Sequence, residues 1–408
     1  MQLESDARPL LRPLDFQPVL YQGQPMWFLR DPLQLSDQQL FMPEAIAPLL
    51  TLIDGRRTQM EIHSAFCQLV GTSLDPAVTL EAIERLNDAL LLENERSQRA
   101  LQVRLDEYRS QAYRPPALAG NGYPADPEAL AEYLEGFARG GAIPAWHGRG
   151  LVSPHIDYAR GGRVYSQVWA AAEASILEAD LVLIFGTDHY GGPGTVTLTK
   201  QAYATPSGAL PADSELVGRL AAALGEDAAY AEELHHRSEH SVELSAVWLH
   251  HIFHKAGKEP CPVVPILVGS FHHFVMNGRK PADDSRLNVF LETLQQETSG
   301  RHVLAVASVD LAHVGPNFGD EFVMDRLRRE SLAEQDQQLI AAALDGDAES
   351  WYSQIAAVGD RNRICGFAPT YLMLRYLGKS NGLQIAYDQC TADNQDTSLV
   401  SICGLLIE

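Results

Sequence analysis

Short apolar segments alternate with helical segments along the last two thirds of the chain, and this alternation limits the fold more than any other feature. The apolar segments have the length of buried strands and lie at 150–153, 181–186, 263–268, 302–308, 383–388 and 399–407. Helices are expected between them, for example at 163–177, 212–224, 239–254, 284–297, 320–344 and 367–377. Such alternation favours an α/β sheet that helices cover on both faces. We therefore predict an α/β domain over residues 143–408.

Residues 1–110 contain no lysine and show a different pattern, which predicts a separate small domain. The stretch 18–31 is typical of a β-hairpin that turns at Gln-Gly-Gln-Pro, and the stretch 35–55 has apolar residues at helical spacing. Two further amphipathic helices are predicted, one from near Thr58 and one from Asp75, which a proline follows as at many helix starts. Strands followed by three helices indicate a small α+β module that resembles a winged helix.

The next stretch, 111–142, is rich in proline, glycine and alanine, which is typical of a linker. Within it, Asp-Pro precedes an amphipathic segment at 126–140, and this predicts one helix. We therefore expect a linker and a helix between the N-terminal module and the α/β domain.

The formal net charge of −22 and the pI near 5.0 argue against a nucleic-acid-binding surface, which needs a basic face. The first twenty residues lack the apolar region of a signal peptide, and no apolar run reaches the roughly eighteen residues of a membrane span. The five cysteines are few and odd in number. We therefore expect reduced thiols, a cytoplasmic location, and neither nucleic acid nor membrane as a partner.

Polar residues suited to metal binding or proton transfer follow three of the predicted strands: His155, Asp188, His189, Ser308, Asp310 and His313. Ligands of open α/β sheets bind beyond the carboxyl ends of the strands. Cys365 lies at a predicted helix start, where the helix dipole lowers the pKa of a thiol. Structural roles are also open: a lone histidine can bind a loop, Cys365 can pack in the core, and Asp310 can cap a helix.

The segment "RSEHSVELSAVWLHH" predicts a helix that presents His240 and Glu243 on one face. Such a pair can bind a metal or relay protons. Equally, His240 can cap the helix while Glu243 binds backbone. Three other histidine pairs lack a matching acid and are expected to be solvated, at 235–236, 250–251 and 272–273. Phosphate-binding loops and serine-nucleophile motifs are absent from the sequence.

Seven motifs occur in an order that resembles the Memo family, also called AmmeMemoRadiSam system protein B. They are "SPHIDYARGGRVY", "IFGTDHYG", "TPSGALPAD", "SEHSVELSAVWL", "VPILVGS", "SVDLAHVG" and "ICGFAP". The resemblance spans about residues 145–408. That family is similar to the catalytic subunits of class III extradiol dioxygenases, which hold a non-haem iron with two histidines and a carboxylate. The resemblance implies a mixed sheet flanked by helices on both faces.

The resemblance also implies three metal ligands, with a cysteine in place of the dioxygenase carboxylate. His155 corresponds to the histidine of the family's Pro-His-Ala-Gly-Tyr motif, and His189 to the first histidine of its Gly-x-Ser-His-His motif. Cys365 corresponds to the cysteine of its Ile-Cys-Gly motif. The residues after His155 depart from the family pattern, and so does Asp188, which can compete as a ligand.

Four further residues are implied to act in the same cavity. His313 matches the histidine that acts as the acid/base, and Asp310 matches the aspartate that orients it. His240 and Glu243 match a Glu-His-Ser-x-Glu motif that lines the cavity. With an open position on the metal, these residues would serve an oxidoreductase or dioxygenase-like enzyme that uses iron or copper, with zinc as an alternative.

The substrate expected from the resemblance is an unknown small molecule or modified peptide. The alternative is a metal-binding or scaffold protein without turnover in a pathway with radical-SAM partners, and a zinc hydrolase is a lesser alternative. The oligomeric state is left open. The N-terminal module resembles PqqD-like winged helices, which bind leader peptides, and its 16 acids against 10 arginines disfavour DNA. A packing or dimerisation module is an equal alternative.

Overall fold

The structure is a computed structural model that describes residues 6–138 and 146–408. The chain divides into two compact units, Met1–Ser110 and Gln111–Glu408. Among the described residues, every helix is too short or too polar to cross a bilayer. Each unit has an apolar core of its own.

The first unit packs helices against a three-stranded antiparallel sheet. Its elements are β1 (Asp15–Tyr21), β2 (Gln24–Arg30), β3 (Leu40–Pro43), α1 (Gln59–Val70), α2 (Pro76–Asp88) and α3 (Glu95–Ser110). The predicted hairpin is confirmed, and Thr58 and Asp75 cap the helices that were predicted to start there. The helix predicted at 35–55 is wrong, because prolines interrupt it. That stretch forms β3 and a short 3₁₀ helix, Ala47–Leu52. The winged-helix likeness stays a prediction.

The second unit is a mixed α/β domain. Its strands are β4 (Gly150–Ser153), β5 (Leu181–Thr187), β6 (Val196–Leu198), β7 (Tyr203–Thr205), β8 (Gly208–Leu210), β9 (Val263–Val268), β10 (Val303–Ser308), β11 (His313–Val314), β12 (Gly382–Thr391) and β13 (Leu399–Ile407). Its helices are α4 (Pro127–Glu135), α5 (Tyr158–Ala171), α6 (Glu173–Glu178), α7 (Ser214–Leu224), α8 (Glu226–Tyr230), α9 (His240–Lys255), α10 (His272–Asn277), α11 (Ser285–Glu297), α12 (Arg326–Leu344), α13 (Ala348–Ala357) and α14 (Phe367–Leu377).

The large sheet has the strand order β11-β13-β4-β10-β5-β9-β6, with β12 paired to β13. The four strands β4, β10, β5 and β9 are parallel, and the others join them antiparallel, so the predicted mixed α/β sheet is confirmed. Alternate strand residues enter two separate apolar cores: Leu183 lies in one and Ile184 in the other. Helices therefore cover both faces of the sheet.

The stretch predicted as a linker is packed into the second unit. Arg114 has no exposed surface, and Tyr123 is 4% exposed. The predicted helix at 126–140 is α4, which Asp126 caps and which ends at Glu135. Residues 139–142 lie outside the described residues. The linker prediction fails because the composition of a segment does not reveal partners that lie far away in the chain.

Strand register brings the carboxyl ends of the central strands together. Ser308 at the end of β10 is paired with Ser153 of β4 on one side and with Gly186 of β5 on the other. Residues that follow these three strands therefore leave the sheet at one edge, as expected for a ligand site in an α/β sheet.

Candidate metal centre

Three imidazole rings meet at this edge of the sheet. His155 follows β4, His189 follows β5, and His240 begins α9. The ring centroid of His155 lies 5.1 Å from that of His189 and 5.2 Å from that of His240, and the last two are 4.8 Å apart. One ring nitrogen from each residue lies within 4.8 Å of the others. The structure thus places His240 together with the two histidines that were predicted as ligands.

The Nδ1 side of each ring is held by an acceptor of the protein. His155 Nδ1 donates to the carbonyl oxygen of Ser308 at 3.0 Å. The carboxylate of Glu239 accepts from His189 Nδ1 at 3.0 Å and lies 3.1 Å from His240 Nδ1. A hydrogen bond at Nδ1 fixes the tautomer and leaves Nε2 as the atom that each ring can offer to a metal.

The thiol of Cys365 lies on the other side of His155. Its Sγ is 3.3 Å from His155 Nε2 and 3.5 Å from the carbonyl oxygen of Asp310. Gly366 permits this approach, since a Cβ there would lie 2.6 Å from the same oxygen. His155, Asp310 and Cys365 form a second group whose ligand atoms lie within 4.8 Å of one another. His155 is common to the two groups, so the structure places each of the other two sequence-predicted ligands, His189 and Cys365, next to His155.

Charge is distributed unevenly among these groups. Burial opposes the charged form of His189, but the Glu239 carboxylate and the Cys365 thiol outweigh it and hold the pKa of His189 well above its usual value. Burial also opposes ionisation of Glu239, yet His189 holds the pKa of that carboxyl well below its usual value. Burial lowers the pKa of His155 strongly, so its ring is neutral. Burial likewise raises the pKa of Cys365, which corrects the expectation that the helix start would lower it.

The role predicted for Asp310 needs a correction. Its Oδ1 accepts the backbone N–H groups of His155 at 2.9 Å and Ile156 at 3.1 Å, and its Oδ2 lies 3.7 Å from His155 Nε2. His313 instead donates from Nδ1 to the carbonyl oxygen of Leu311 at 3.2 Å. Asp310 therefore positions the loop that carries His155 rather than the ring of His313. Burial raises the pKa of Asp310 to about 6.

Glu243 does not line the cavity as predicted. Its side chain has no exposed surface and is bound by the guanidinium of Arg114 and the hydroxyl of Tyr123. Its carboxylate also accepts the backbone N–H groups of Ala117 at 2.8 Å and Leu118 at 2.9 Å. The i, i+3 spacing of His240 and Glu243 correctly predicted that both lie on one helix. It did not predict which residues the carboxylate of Glu243 would bind.

Asp188, predicted as a competing ligand, is directed to a different partner. Both of its carboxylate oxygens lie within 3.0 Å of His235 Nδ1, and with Glu232 these residues form a third group whose ligand atoms lie within 4.8 Å. His236 is fully buried, and so, largely, are His250 and His251. The prediction of solvation is therefore wrong for the pairs at 235–236 and 250–251, whereas His272 is exposed and His273 is partly exposed. Asp188 and His235 are too far apart in the sequence for their pairing to be visible in it.

The cluster opens into a cavity of about 530 Å³. The rings of His155, His189 and His240 lie on its wall, together with His313. Apolar side chains and one arginine complete much of the lining: Leu118, Ile156, Leu244, Phe318, Val400 and Arg160. A second cavity of about 350 Å³ reaches His189 and Cys365 from another direction. The larger cavity has room for a small organic molecule next to the imidazoles.

The fold and these groups define a mixed α/β protein with candidate metal-ligand clusters at the carboxyl edge of its sheet. The family model described as Memo-like protein matches residues 114–406, and the chain belongs to that family. The match begins at Arg114, the buried partner of Glu243.

The chain is similar to proteins named as MEMO1 family members. One from Aquifex aeolicus is 26% identical over 407 residues, which are 98% of this chain and 99% of the relative. One from Methanosarcina mazei is 28% identical over 300 residues, 72% of this chain and 99% of the relative. One from Thermococcus kodakarensis is 29% identical over 263 residues, 62% of this chain and 83% of the relative. The similarity thus extends over almost the whole chain in the bacterial relative.

Glu239 is the candidate site residue that the sequence interpretation missed. It was treated as the start of a helix, and its side chain does accept the N–H of Ser241 at 2.9 Å. The same side chain also binds two imidazoles, and it is 2% exposed. A carboxylate directly before a candidate ligand histidine was the available signal.

Proposed function

We propose that the chain binds a transition-metal ion through His155, His189 and Cys365 and acts as an oxidoreductase on a small molecule in the larger cavity. The observation that supports this most is that the Nδ1 atoms of both rings are engaged by the protein while Nε2 of His155 faces the thiol. Two imidazoles and a sulfur form a set that suits copper, zinc or iron. A bound redox-active ion would supply electron transfer next to the cavity.

The residues of the chain contribute binding, orientation and proton transfer. Apolar residues of the cavity, such as Leu244 and Phe318, would exclude water around the substrate. His313 lines the same cavity and is held by backbone groups of Leu311 and Arg363, so its ring is the one placed to exchange a proton with a bound substrate. Asp310 holds the backbone of the loop that carries His155. His313 is therefore the proposed acid/base, and Asp310 is a positioning residue.

Metal analysis of the full chain tests this proposal. We expect about one iron, copper or zinc ion per chain after anaerobic loading, and loss of that ion in His155→Ala. The matched control is His147→Ala, which removes an exposed histidine. If His155→Ala keeps the metal content of the wild type, the ligand assignment is wrong.

Substrate assays separate the enzyme from a metal-binding protein without turnover. Oxygen uptake by the iron-loaded chain with a panel of catechols, and a loss of that uptake in His313→Gln, would support the oxidoreductase. Metal binding with no turnover of any tested substrate would favour the non-catalytic alternative. Chelator-sensitive ester or amide cleavage by the zinc-loaded chain would instead indicate a hydrolase.

The partners and the cytoplasmic location stay predictions. The first unit exposes Phe16, Leu20 and Tyr21 on β1, and exposed apolar side chains are common at protein-binding surfaces. Capture of a peptide or a pathway protein by the full chain, with loss of capture when residues 1–110 are removed, would assign that role to the first unit.

A further inference from the structure

We propose that His240 is a fourth ligand position at this centre and that Glu239 positions it together with His189. The centre would then offer two overlapping ligand sets that share His155. One set contains three imidazoles, and the other contains the Cys365 thiol. This inference rests on the proposed function in one respect only, namely that the cluster binds a metal.

The first support is the geometry of the three rings. One ring nitrogen each of His155, His189 and His240 lies within 4.8 Å of the others, so small side-chain movements would bring all three to the distance of about 2.1 Å at which an ion binds imidazole. The rings of His189 and His240 are stacked, with an angle of 18° between their planes. Cys365 belongs instead to the group with His155 and Asp310, whose ligand atoms are equally close. His155 is the member that both groups share.

The second support is the way in which one buried carboxylate serves two rings. Glu239 Oε2 accepts from His189 Nδ1 at 3.0 Å, and Oε1 lies 3.1 Å from His240 Nδ1. Oε1 also accepts the N–H of Ser241 at 2.9 Å, which fixes the carboxylate at the start of α9. Because both rings use Nδ1 toward the same group, both offer Nε2 to a metal. Glu239 thus holds His240 in the same way as it holds a sequence-predicted ligand.

The two sets differ in the ions that they would prefer. A thiolate favours soft ions such as Cu(I) and Zn²⁺, whereas three imidazoles suit Fe²⁺, Co²⁺, Cu²⁺ and Zn²⁺. Loss of the sulfur should therefore change which ions bind rather than abolish binding. Loss of both Cys365 and His240 would leave two imidazoles, and tight binding should fail.

Cobalt(II) titration of the full anaerobic chain tests the assignment, because the visible bands of Co²⁺ report its coordination and a near-ultraviolet band reports a bound thiolate. We expect Cys365→Ser to lose the sulfur band but to keep Co²⁺ binding within about tenfold of the wild type. We expect His240→Ala to keep the sulfur band with altered visible bands. The double variant should bind Co²⁺ at least about a hundredfold more weakly, because it lacks a third strong ligand.

Glu239→Gln tests the positioning role. Glutamine replaces one carboxylate oxygen with an NH₂ donor, so one of the two Nδ1 atoms, each of which lies against a different oxygen of Glu239, would lose its acceptor. We expect Co²⁺ affinity to fall about ten- to hundredfold, the range for changes in groups that support a ligand. Glu239→Asp keeps two acceptor oxygens on a side chain that is shorter by one methylene. Its affinity for Co²⁺ should therefore fall less than that of Glu239→Gln. Circular dichroism checks the fold of each variant, and His147→Ala is the control.

The outcomes separate this inference from the proposed function. If His240→Ala has wild-type bands and affinity while Cys365→Ser loses Co²⁺ altogether, His240 is not a ligand and the centre has one set only. Unchanged affinity in Glu239→Gln would overturn the positioning role. If the wild-type chain binds neither Co²⁺, Zn²⁺ nor Cu(I), the proposed function fails, and the present inference fails with it.

Discussion

The first turn of α9 contributes residues to two polar clusters whose hydrogen bonds differ. At its start, Glu239 and His240 belong to the imidazole–thiol cluster, which also contains His155, His189 and Cys365. One turn later, Glu243 belongs to what we call the arginine–carboxylate network, with Arg114 and Tyr123. Both clusters contain buried ionisable groups, and the sequence motif "EHSVE" contributes to both.

The two clusters differ in how their polar atoms are used. In the network, both oxygens of Glu243 accept hydrogen bonds from donors of residues 114–123. In the cluster, the Nδ1 sides of the rings face acceptors, and two candidate ligand atoms, Cys365 Sγ and Asp310 Oδ2, lie on the Nε2 side of His155. Buried polar groups that form hydrogen bonds with one another stabilise a fold. Candidate ligand atoms that lie close together are instead placed to bind a metal ion. The first pattern indicates a structural role and the second a functional one.

Loss of Arg114 should give the largest effect, because it would leave Glu243 buried without its guanidinium. We expect Arg114→Met to lower the free energy of unfolding by about 3–5 kcal/mol, the cost of an uncompensated buried charge. Denaturant unfolding measures this loss. Arg114 also donates to the backbone carbonyl oxygen of Glu239 at 3.0 Å, so the affinity of the folded chain for metal should fall as well, but by less than in Glu239→Gln, which alters the carboxylate itself.

An exposed ion pair provides the matched control. Arg326→Met removes the partner of Glu330 at a site where both side chains are exposed, and it should cost less than about 0.5 kcal/mol. If Arg114→Met costs no more than this control, Glu243 is not a structural carboxylate and its predicted catalytic role would be open again.

The pH dependence of stability should report the same network through His236. Burial, aided by Arg114, lowers the pKa of His236 to about 3, and its ring lies 2.6 Å from the hydroxyl of Tyr203. Because the unfolded chain binds this proton near pH 6.5 and the folded chain does not, stability is complete above that pH and falls as the pH decreases. His236 should contribute about 2 kcal/mol to the loss of stability between pH 7 and pH 5.

A variant isolates this titration from those of the other histidines. His236→Gln should be less stable at pH 7 because it loses the buried imidazole contacts, but its stability should fall less between pH 7 and pH 5. Unfolding curves at both pH values give the difference. Parallel pH profiles for the two chains would show that His236 is protonated in the folded state.

The structure shows which parts of this contrast the sequence could reveal. His155 and His189 follow strands whose ends were predictable from apolar runs, so their meeting at one sheet edge was predictable as well, whereas the place of Cys365 beside them was implied by the family resemblance. The direction of Glu243 was not, because its partner Arg114 lies 129 positions earlier in a stretch with the composition of a linker. The local sequence pattern thus predicted which polar side chains would lie near the sheet edge. It did not predict which of them would form hydrogen bonds with one another.

Asp310 shares features of both clusters, because Oδ1 accepts backbone N–H groups while Oδ2 lies near His155 Nε2. Two substitutions can show whether Asp310 is a positioning residue or a metal ligand. If it only holds the loop, Asp310→Ala should weaken metal binding about tenfold, at the lower end of the range for supporting groups. Asp310→Asn keeps an oxygen for the N–H groups of His155 and Ile156 and should weaken binding less. Equal losses in the two variants would instead indicate that Oδ2 binds the metal. Calorimetric titration with Zn²⁺ distinguishes these results.

The smallest effect on metal binding is expected at His313, which lines the cavity without belonging to any of the groups of candidate ligand atoms. His313→Gln should change Zn²⁺ affinity by less than about threefold, because a side chain that is not a ligand contributes little to binding. The same variant should lose turnover if His313 is the acid/base. A large loss of affinity would move His313 into the ligand set. It would also show that residues of the cavity wall take part in metal binding. The contrast drawn above, between groups that hydrogen-bond to one another and groups that bind a metal, would then not hold for the cavity.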